Sequence, residues 1–413
     1  MTFSPASSNR LLNIYLALGQ YPILSGRIRA RMRMELFERG IVQPQEFESE
    51  VRDKAIRSQE QEGLSRPLEN EPEPVWEQRL NIIRDRLTDL YFSQHLSFGL
   101  FENIVRDILS ERGVTARDHI LSINLELAPQ DMVFEQAMMI ESMPPAERGK
   151  LEARLREAKV VLIRTIISDQ LRYINVAKEW FTISDLVHIR QRKIGAGKIG
   201  GKAAGMLLAA RILEDLTEGP MKVCLHTPDS YFIGSDEMYN FMSINNLVHW
   251  NDQKYKSEEE MREEFPEIER DFLAGSFPPD LLQHLQTLLS TVGSQPLIVR
   301  SSRLLADNFG TSFAGKYDSI FLPNQADPHQ NLLALTRAIA SIYASTLNPS
   351  ALLYRRSRGL QDYDERMALL IQVVRGERFG QYFMPHGAGV AFSRNLYRWA
   401  PQIRREDGFV RMV

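Results

Sequence analysis

The residues best suited to bind phosphate lie in segment 297–322, which reads LIVRSSRLLADNFGTSFAGKYDSIFL. An apolar strand-like run ends at Arg300, two serines follow, and small residues at 310–315 lead into Lys316 and a second strand-like run. A planar guanidinium matches phosphate oxygens, and a loop of small residues lets backbone N–H groups approach them. The segment therefore predicts a polyphosphate site, although loops of this composition also occur as simple turns.

A second glycine-rich segment, residues 193–210, reads KIGAGKIGGKAAGMLLAA. Its glycines precede Lys202 and a run of helix formers that begins at Ala203. A helix N-terminus offers unpaired N–H groups and a positive dipole end, to which a lysine adds a full charge. The segment is not a Walker A loop, because Ala203 replaces the Ser or Thr that would hold Mg²⁺. Two interpretations stay open, a phosphate loop of another kind and a flexible joint.

Four segments occur in an order that resembles one known family. They read GKIGGKAAGM, TPDSYFIGSDEMYNFM, VRSSRLLADNFGTSFAGKYDSIF and MALLIQVVRGERFGQYFMPHGAGVAFSRN. About residues 186–413 resemble the N-terminal nucleotide-binding region of phosphoenolpyruvate synthase and pyruvate phosphate dikinase, whereas residues 1–185 do not. The resemblance implies that residues 186–413 have an ATP-grasp-type fold and bind ATP.

The resemblance also implies roles for the two cations. Lys202, which follows Gly201 in the GGK motif, would reach the ATP phosphates, and Arg300 would contact the transferred phosphoryl group. Asp307 would correspond to an acidic residue that the family has soon after VRSS. Without the resemblance, Lys202 is equally a solvated helix residue, whereas Arg300 needs a partner because it ends an apolar run.

Four further site residues follow from the resemblance alone. The turn of FAGKYDS would place the backbone near Gly315 against the phosphates, with Lys316 and Asp318 nearby. Gln372, which ends the MALLIQ run, would lie near the adenine end of the site. The alternative for Gln372 is a polar residue of an edge strand.

Length and composition limit the class of protein. The chain has 413 residues, of which 43% are hydrophobic and 25% charged, and a formal net charge of −3. These values predict a soluble globular protein of two or three domains, with no general attraction to nucleic acid or membranes. The single cysteine, Cys224, excludes an intrachain disulfide and suits a reducing compartment. Because the apolar runs are too short to span a bilayer and no signal peptide is recognisable, we expect a cytoplasmic protein.

The elements that position these residues change character near residue 186. Before it, apolar residues recur at spacings of three and four, which predicts helices. After it, short strand-like runs alternate with helical ones. We therefore expect an α+β protein, in which an all-helical N-terminal domain of unassigned role (1–185) precedes an incomplete ATP-grasp-like α/β nucleotide-binding domain (186–413).

Three local predictions concern particular segments. A strand is expected over 222–226, and the acidic helix over 257–271 is expected to break near Pro266. In segment 27–33, arginine alternates with apolar residues. This pattern favours a solvated helix face whose aliphatic stems cover apolar surface, and the alternative is contact with an acidic surface or an anion.

The resemblance implies a reaction that needs further domains. In the family, ATP phosphorylates a histidine on a swivelling carrier domain, which then passes the phosphoryl group to pyruvate in a barrel domain. No segment here resembles either domain, and the ligands of Mg²⁺ are expected beyond Val413. We therefore expect this chain to be the front part of a longer enzyme, with weak ATP binding and no turnover by itself.

Two other functions remain compatible with the sequence. The same nucleotide-binding region precedes enzymes that phosphorylate antibiotics or glucans, and no residue here identifies the acceptor. The chain could also belong to a non-catalytic nucleotide-sensing or scaffold protein in which the helical part binds a partner. The oligomeric state is not predicted.

Overall fold

The computed structural model describes residues 5–63, 71–110, 121, 124–303, 317–363, 365–395 and 400–413. Asp307, Gly315 and Lys316 therefore lie outside the described residues. The chain divides into two units, one of Met1–Leu162 with Thr182–Ser184 and one of Ile163–Phe181 with Asp185–Val413.

Helices are the regular elements described before residue 193. They are α1 (Pro5–Gly19), α2 (Ser25–Glu38), α3 (Pro44–Gln61), α4 (Glu73–His95), α5 (Phe98–Ser110), α6 (Gln130–Glu141), α7 (Pro145–Arg148), α8 (Glu152–Ile166), α9 (Leu171–Trp180) and α10 (Ile183–Gln191). In the first unit α1, α2 and α3 all pack on α4. The periodicity explains this packing, because Ile28, Met32 and Leu36 recur every four residues on α2 and are fully buried.

Two arginines of α2 bind acidic side chains of α4. Arg29 donates to Asp89 through Nε and Nη2, at 2.9 and 2.8 Å to the nearer oxygens. Arg33 donates to Asp85 at 3.4 Å and to the Thr88 hydroxyl at 3.1 Å. The solvated-face interpretation is therefore wrong for these two positions. The sequence did not show that α4 would bring its own acidic residues against this face.

The second unit contains a five-stranded mixed sheet and seven more helices among its described residues. The strands are β1 (Lys193–Ile194), β2 (Ser230–Ile233), β3 (Leu297–Arg303), β4 (Ser319–Leu322) and β5 (Met367–Val373). The helices are α11 (Gly201–Leu216), α12 (Pro220–Cys224), α13 (Glu237–Ile244), α14 (Glu258–Ala274), α15 (Pro279–Val292), α16 (Pro328–Ser345) and α17 (Pro349–Ser357), with a 3-10 helix at Val248–Tyr255. Two hairpins follow, β6 (Glu377–Phe379) with β7 (Tyr382–Met384) and β8 (Gly389–Phe392) with β9 (Phe409–Met412).

The strand order β1-β2-β5-β3-β4 puts β5 at the centre of the sheet. β1 and β2 are parallel, and the other neighbours are antiparallel. One sheet face packs on a helical core and includes Leu297, Val299 and Ile371. Side chains alternate between faces, so Arg300, Ser302 and Gln372 lie on the other. Ser302 on this second face of β3 contacts the beginning of α11.

Two predicted elements are corrected by the structure. Residues 220–224 form helix α12 rather than the beginning of a strand, because Pro220 occupies the first helical turn, where its fixed φ suits a helix start. α14 continues through Pro266. A capping box at Ser257 and Glu260 begins this helix, and its buried stripe of Met261, Ile268 and Phe272 is anchored on both sides of the proline.

The strand that carries Arg300 is longer than predicted. β3 continues to Arg303, because its pairing with β5 extends to Arg303 opposite Met367. Residues 163–181 belong to the second unit, whereas the predicted boundary at residue 186 placed them in the N-terminal domain. The Tyr173 hydroxyl donates to the Ala204 carbonyl at 2.9 Å, and the Ile199 amide donates to the Ile166 carbonyl at 3.0 Å, which joins this segment to the second unit.

In the part of the chain that the structure describes, no helix combines the length and apolarity that crossing a bilayer requires.

Candidate functional site

The two predicted phosphate-binding cations are associated with neighbouring residues in the middle of β3. Lys202 is in the first turn of α11, and its Nζ donates to the Ser301 hydroxyl at 3.1 Å. Ser301 directly follows Arg300, so a residue from the glycine-rich segment reaches the strand that carries the arginine. Lys202 is exposed and Arg300 is half-buried. Both side chains are therefore at least partly accessible to a solute.

Ser302 fastens the glycine-rich segment to β3. Its buried hydroxyl accepts from the Ala203 amide at 3.2 Å and donates to the Ile199 carbonyl at 2.8 Å. Gly200 has φ +80°, and a Cβ there would lie 1.7 Å from the Ser302 carbonyl oxygen. Glycine is thus required at position 200 both by its backbone conformation and by the close approach of β3.

Other hydrogen bonds hold the rest of the glycine-rich segment. The Ala196 amide donates to Glu237 Oε1 at 2.8 Å, and the Lys198 amide donates to the Ser235 hydroxyl at 3.1 Å. These bonds tie the segment to the beginning of α13 and favour a fixed loop over a flexible joint. They also occupy amides that the sequence left for an anion. The predicted contacts of Gly201 and Lys202 with an anion do not depend on these two amides.

Arg300 is oriented by a neutral partner. Its Nη1 donates to Gln372 Oε1 at 3.1 Å, and Gln372 Nε2 donates to the Ser230 hydroxyl at 3.1 Å. Gln372 is buried in the central strand, so its interpretation as an edge-strand residue is wrong. Among the described residues, Arg300 has no acidic partner within ion-pair distance. The described residues therefore hold its guanidinium in place without a carboxylate that would neutralise its charge.

The remaining predicted site residues differ in how far the structure describes them. Asp318 is exposed and directly precedes Ser319, the Cα partner of Arg300, so it lies at the same end of the sheet. Gly315 and Lys316 fall outside the described residues, and the roles predicted for them stay predictions.

The opposite end of these strands borders a groove of about 890 Å³. Its walls include the aromatic rings of Phe321, Tyr382 and Phe383 and the cationic Arg375 and Arg378. Phe321 is the Cα partner of Ile298, which in turn pairs with Gln372. The groove therefore begins beside the row of residues that includes Gln372.

Sequence reasoning missed the residues that support the loop. Ser302 was noted only as one of two serines after Arg300. Glu237 and Ser235 lie in the motif TPDSYFIGSDEMYNFM, and no role was predicted for them. Lys193 was also missed. Burial lowers its pKa, against the opposing effect of Glu237 and Asp236, and its ammonium donates to the Gly195 carbonyl. No spacing rule identifies the contacts of Ser302, Glu237 and Ser235 with the loop, because they join segments far apart in the chain.

Comparison with known proteins identifies the family. Residues 196–413 match the AMP/ATP-binding domain of pyruvate phosphate dikinase. The chain belongs to this family. The match confirms the resemblance inferred from the four motifs and makes the second unit part of an ATP-binding phosphotransferase family.

A named relative carries the same family signature. A rifampicin phosphotransferase from Streptomyces sviceus is 31% identical to this chain over 128 residues. The alignment covers 31% of this chain and 13% of the length of that protein.

The described residues offer no evident metal centre. Within them, no group of three or more His, Cys, Asp or Glu side chains is arranged to hold a metal ion. They therefore do not provide the carboxylate cluster that would hold Mg²⁺ by itself.

Proposed function

We propose that this chain binds ATP with the triphosphate beside Arg300 of β3, as the nucleotide-binding part of a phosphoenolpyruvate synthase-like phosphotransferase. The observation that carries the proposal is the 3.1 Å bond from Lys202 Nζ to the Ser301 hydroxyl, beside Arg300. Two cations from distant segments beside neighbouring residues of one strand offset the charge of a polyphosphate, and a planar guanidinium donates to two phosphate oxygens at once.

The proposed roles follow from the chemistry of phosphoryl transfer. This reaction depends mainly on positioning and on stabilising charge over the transferred group. Arg300, oriented by Gln372, contacts the transferred phosphoryl group, and Lys202 contacts the neighbouring phosphates. Backbone donors near Gly315 and the Lys316 and Asp318 side chains complete the predicted set. Mg²⁺ enters as the ion that accompanies ATP, and no described residue is assigned to it.

The nucleotide base belongs at the other end of the same sheet face. Gln372 separates the Arg300 end of this face from the groove that begins at Phe321, and that groove has the volume of a small-molecule site. Phe321 is 67% exposed, which leaves its ring accessible to a base. An aromatic ring stacks on any base without reading its hydrogen bonds.

The phosphoryl acceptor is proposed to be pyruvate, reached through a phosphohistidine on a carrier domain of the whole protein. The similarity to a rifampicin phosphotransferase favours an antibiotic as the second candidate. ATP consumption by the whole protein, measured with pyruvate and with rifampicin in turn, distinguishes the two. A cytoplasmic location is part of the proposal, since a single cysteine suits a reducing compartment.

The experiment that tests ATP binding is a calorimetric titration of Mg²⁺-ATP into the unaltered chain and into Arg300→Ala. We expect the substitution to weaken binding by about 1.5–3 kcal/mol, because a charge-assisted contact to phosphate is lost. Arg262→Ala is the matched control, since this exposed arginine pairs with Glu258 of its own helix. Equal ATP affinity of the Arg300 variant and the unaltered chain would refute the proposal and favour a scaffold role.

A further inference from the structure

A second group of charged residues surrounds the point where β3 ends. Arg303, the last residue of β3, donates through Nε to Glu365 at 2.9 Å. Arg355 of α17 lies 3.7 Å from the other oxygen of the same carboxylate. The Arg303 guanidinium also lies over the Tyr317 ring, 5.3 Å from its centroid. All four side chains are at least nine-tenths buried. We refer to these four residues as the Arg303 cluster.

The Arg303 cluster is not explained by stability alone. Burying charged groups carries a large desolvation cost, and buried ion pairs can often be replaced by apolar side chains without loss of stability. The surrounding core is otherwise apolar, with Met367, Leu369 and Ile371 fully buried on the neighbouring strand. The Arg303–Glu365 ion pair fixes the relative positions of the two residues more narrowly than apolar packing would, because its hydrogen bonds have preferred directions.

The cluster lies at the end of β3, the strand that contains Arg300. Arg303 pairs with Met367 at the beginning of β5, and Glu365 is two residues before it. The ion pair therefore fixes the last residues of β3 to the first residues of β5. Arg300 is three residues from Arg303, and Tyr317 is two residues from the predicted phosphate contact at Gly315. The cluster thus joins described residues on both sides of segment 304–316.

We propose that the Arg303 cluster positions the end of β3 and Tyr317 for binding the β- and γ-phosphates of ATP. Arg303, Glu365 and Arg355 are positioning residues in this assignment and do not themselves contact the nucleotide. The inference rests on the proposed function, since it concerns the same site. It predicts a defect specific to the terminal phosphates, because the base and the sugar lie toward Gln372 and the groove.

The test replaces the Arg303–Glu365 pair by uncharged side chains, and Arg355, which loses its contact with Glu365, keeps its hydrogen bond to the Thr346 carbonyl. Arg303→Met/Glu365→Gln keeps the side-chain sizes similar, and its affinities for Mg²⁺-ATP and for AMP are measured by calorimetry. Displacing the strand end should weaken ATP binding by about tenfold and leave AMP binding within about twofold of the unaltered chain. Arg303→Lys keeps the charge but not the planar fork, so it should recover part of the lost ATP affinity.

Equal losses of ATP and AMP affinity would overturn the inference, because a general structural defect does not distinguish the two ligands. Unchanged ATP affinity in the double variant would overturn it as well. If the double variant does not fold, Tyr317→Leu is measured in the same way. This variant retains the ion pair but removes the ring under Arg303, and an ATP affinity equal to that of the unaltered chain would again contradict the inference.

The same titrations separate this inference from the proposed function. Equal affinity of the unaltered chain for ATP and AMP, or ATP binding unaffected by Arg300→Ala, removes the proposed function and this inference with it. If Arg300→Ala weakens ATP binding but the Arg303→Met/Glu365→Gln variant binds ATP as well as the unaltered chain, only this inference is removed.

Discussion

The arginines of the helical unit and the arginine of the sheet are held by partners of different charge. Arg29 binds the Asp89 carboxylate with its nearest contact at 2.8 Å, whereas Arg300 binds the neutral Gln372 amide at 3.1 Å. A carboxylate neutralises the guanidinium that it orients, and an amide orients it while leaving the charge for a ligand. The partner, rather than the arginine, therefore distinguishes a structural pair from a candidate anion site.

The largest expected effect is the loss of stability that follows from breaking the Arg29–Asp89 pair. Arg29→Ala leaves the buried Asp89 carboxylate without its partner and should lower the free energy of unfolding by about 3–5 kcal/mol. The loss should shrink as the pH falls, because burial raises the pKa of Asp89 and a protonated carboxyl needs no counter-charge. Denaturant unfolding at several pH values measures it, with Arg39→Ala as the control for an exposed pair. A loss as small as that of the control would contradict the comparison.

A smaller effect should follow from giving Arg300 the kind of partner that Arg29 has. Gln372→Glu is nearly isosteric and places a carboxylate where the amide now accepts from Arg300. The new charge should neutralise the guanidinium and repel a polyphosphate, which weakens ATP binding by about 1.5–3 kcal/mol. Calorimetric titration measures this change. The uncharged Gln372→Met is the control, and weaker binding by the Met variant than by the Glu variant would indicate that orientation matters more than charge.

The hydroxyl that joins the two site segments should have a moderate effect on stability. Ser302→Ala removes a cap of the α11 N-terminus and a donor to the Ile199 carbonyl. Such a loss costs about 1–2 kcal/mol of unfolding free energy. Ser301→Ala, which removes the hydroxyl contacted by Lys202, should change stability less. Thermal unfolding of both variants measures the difference, and a reversed order would show that Ser302 does not fasten α11 to β3.

The smallest expected effect is a loss of folding stability at alkaline pH, to which one tyrosine in each unit contributes. A hydrogen bond to Glu50 raises the pKa of Tyr91 to about 12, and burial raises that of Tyr317 to about 12. An unfolded tyrosine ionises near pH 10, so between about pH 10 and 12 the unfolded chain binds fewer protons than the fold. Stability should therefore fall as the pH rises through this interval.

Substituting each tyrosine in turn distinguishes the contributions of the two units to this pH dependence. Tyr91→Phe and Tyr317→Phe should each flatten the decline of stability, measured as the unfolding midpoint at several alkaline pH values. The exposed Tyr15 provides the control substitution, Tyr15→Phe. A decline that is unchanged in both variants would indicate that neither the hydrogen bond of Tyr91 nor the burial of Tyr317 raises a pKa as described.

The sequence by itself determined the family, the strand-like run that contains Arg300 and the glycine-lysine loop before α11. These features are local, because they depend on residue type, on short periodicities and on glycines that permit particular backbone conformations. Helix α12 and the continuation of α14 through Pro266 were not predicted, since packing outweighed the local signals.

The tertiary structure alone decided which side chains became partners. Lys202 meets Ser301 across 99 positions of sequence, Arg300 meets Gln372 across 72, and Arg303 meets Glu365 across 62. Strand order and register set these contacts, and they arise from the packing of the whole sheet rather than from any local pattern. For the same reason the sequence could predict that Arg300 binds phosphate but could not show that a neutral amide would hold its side chain.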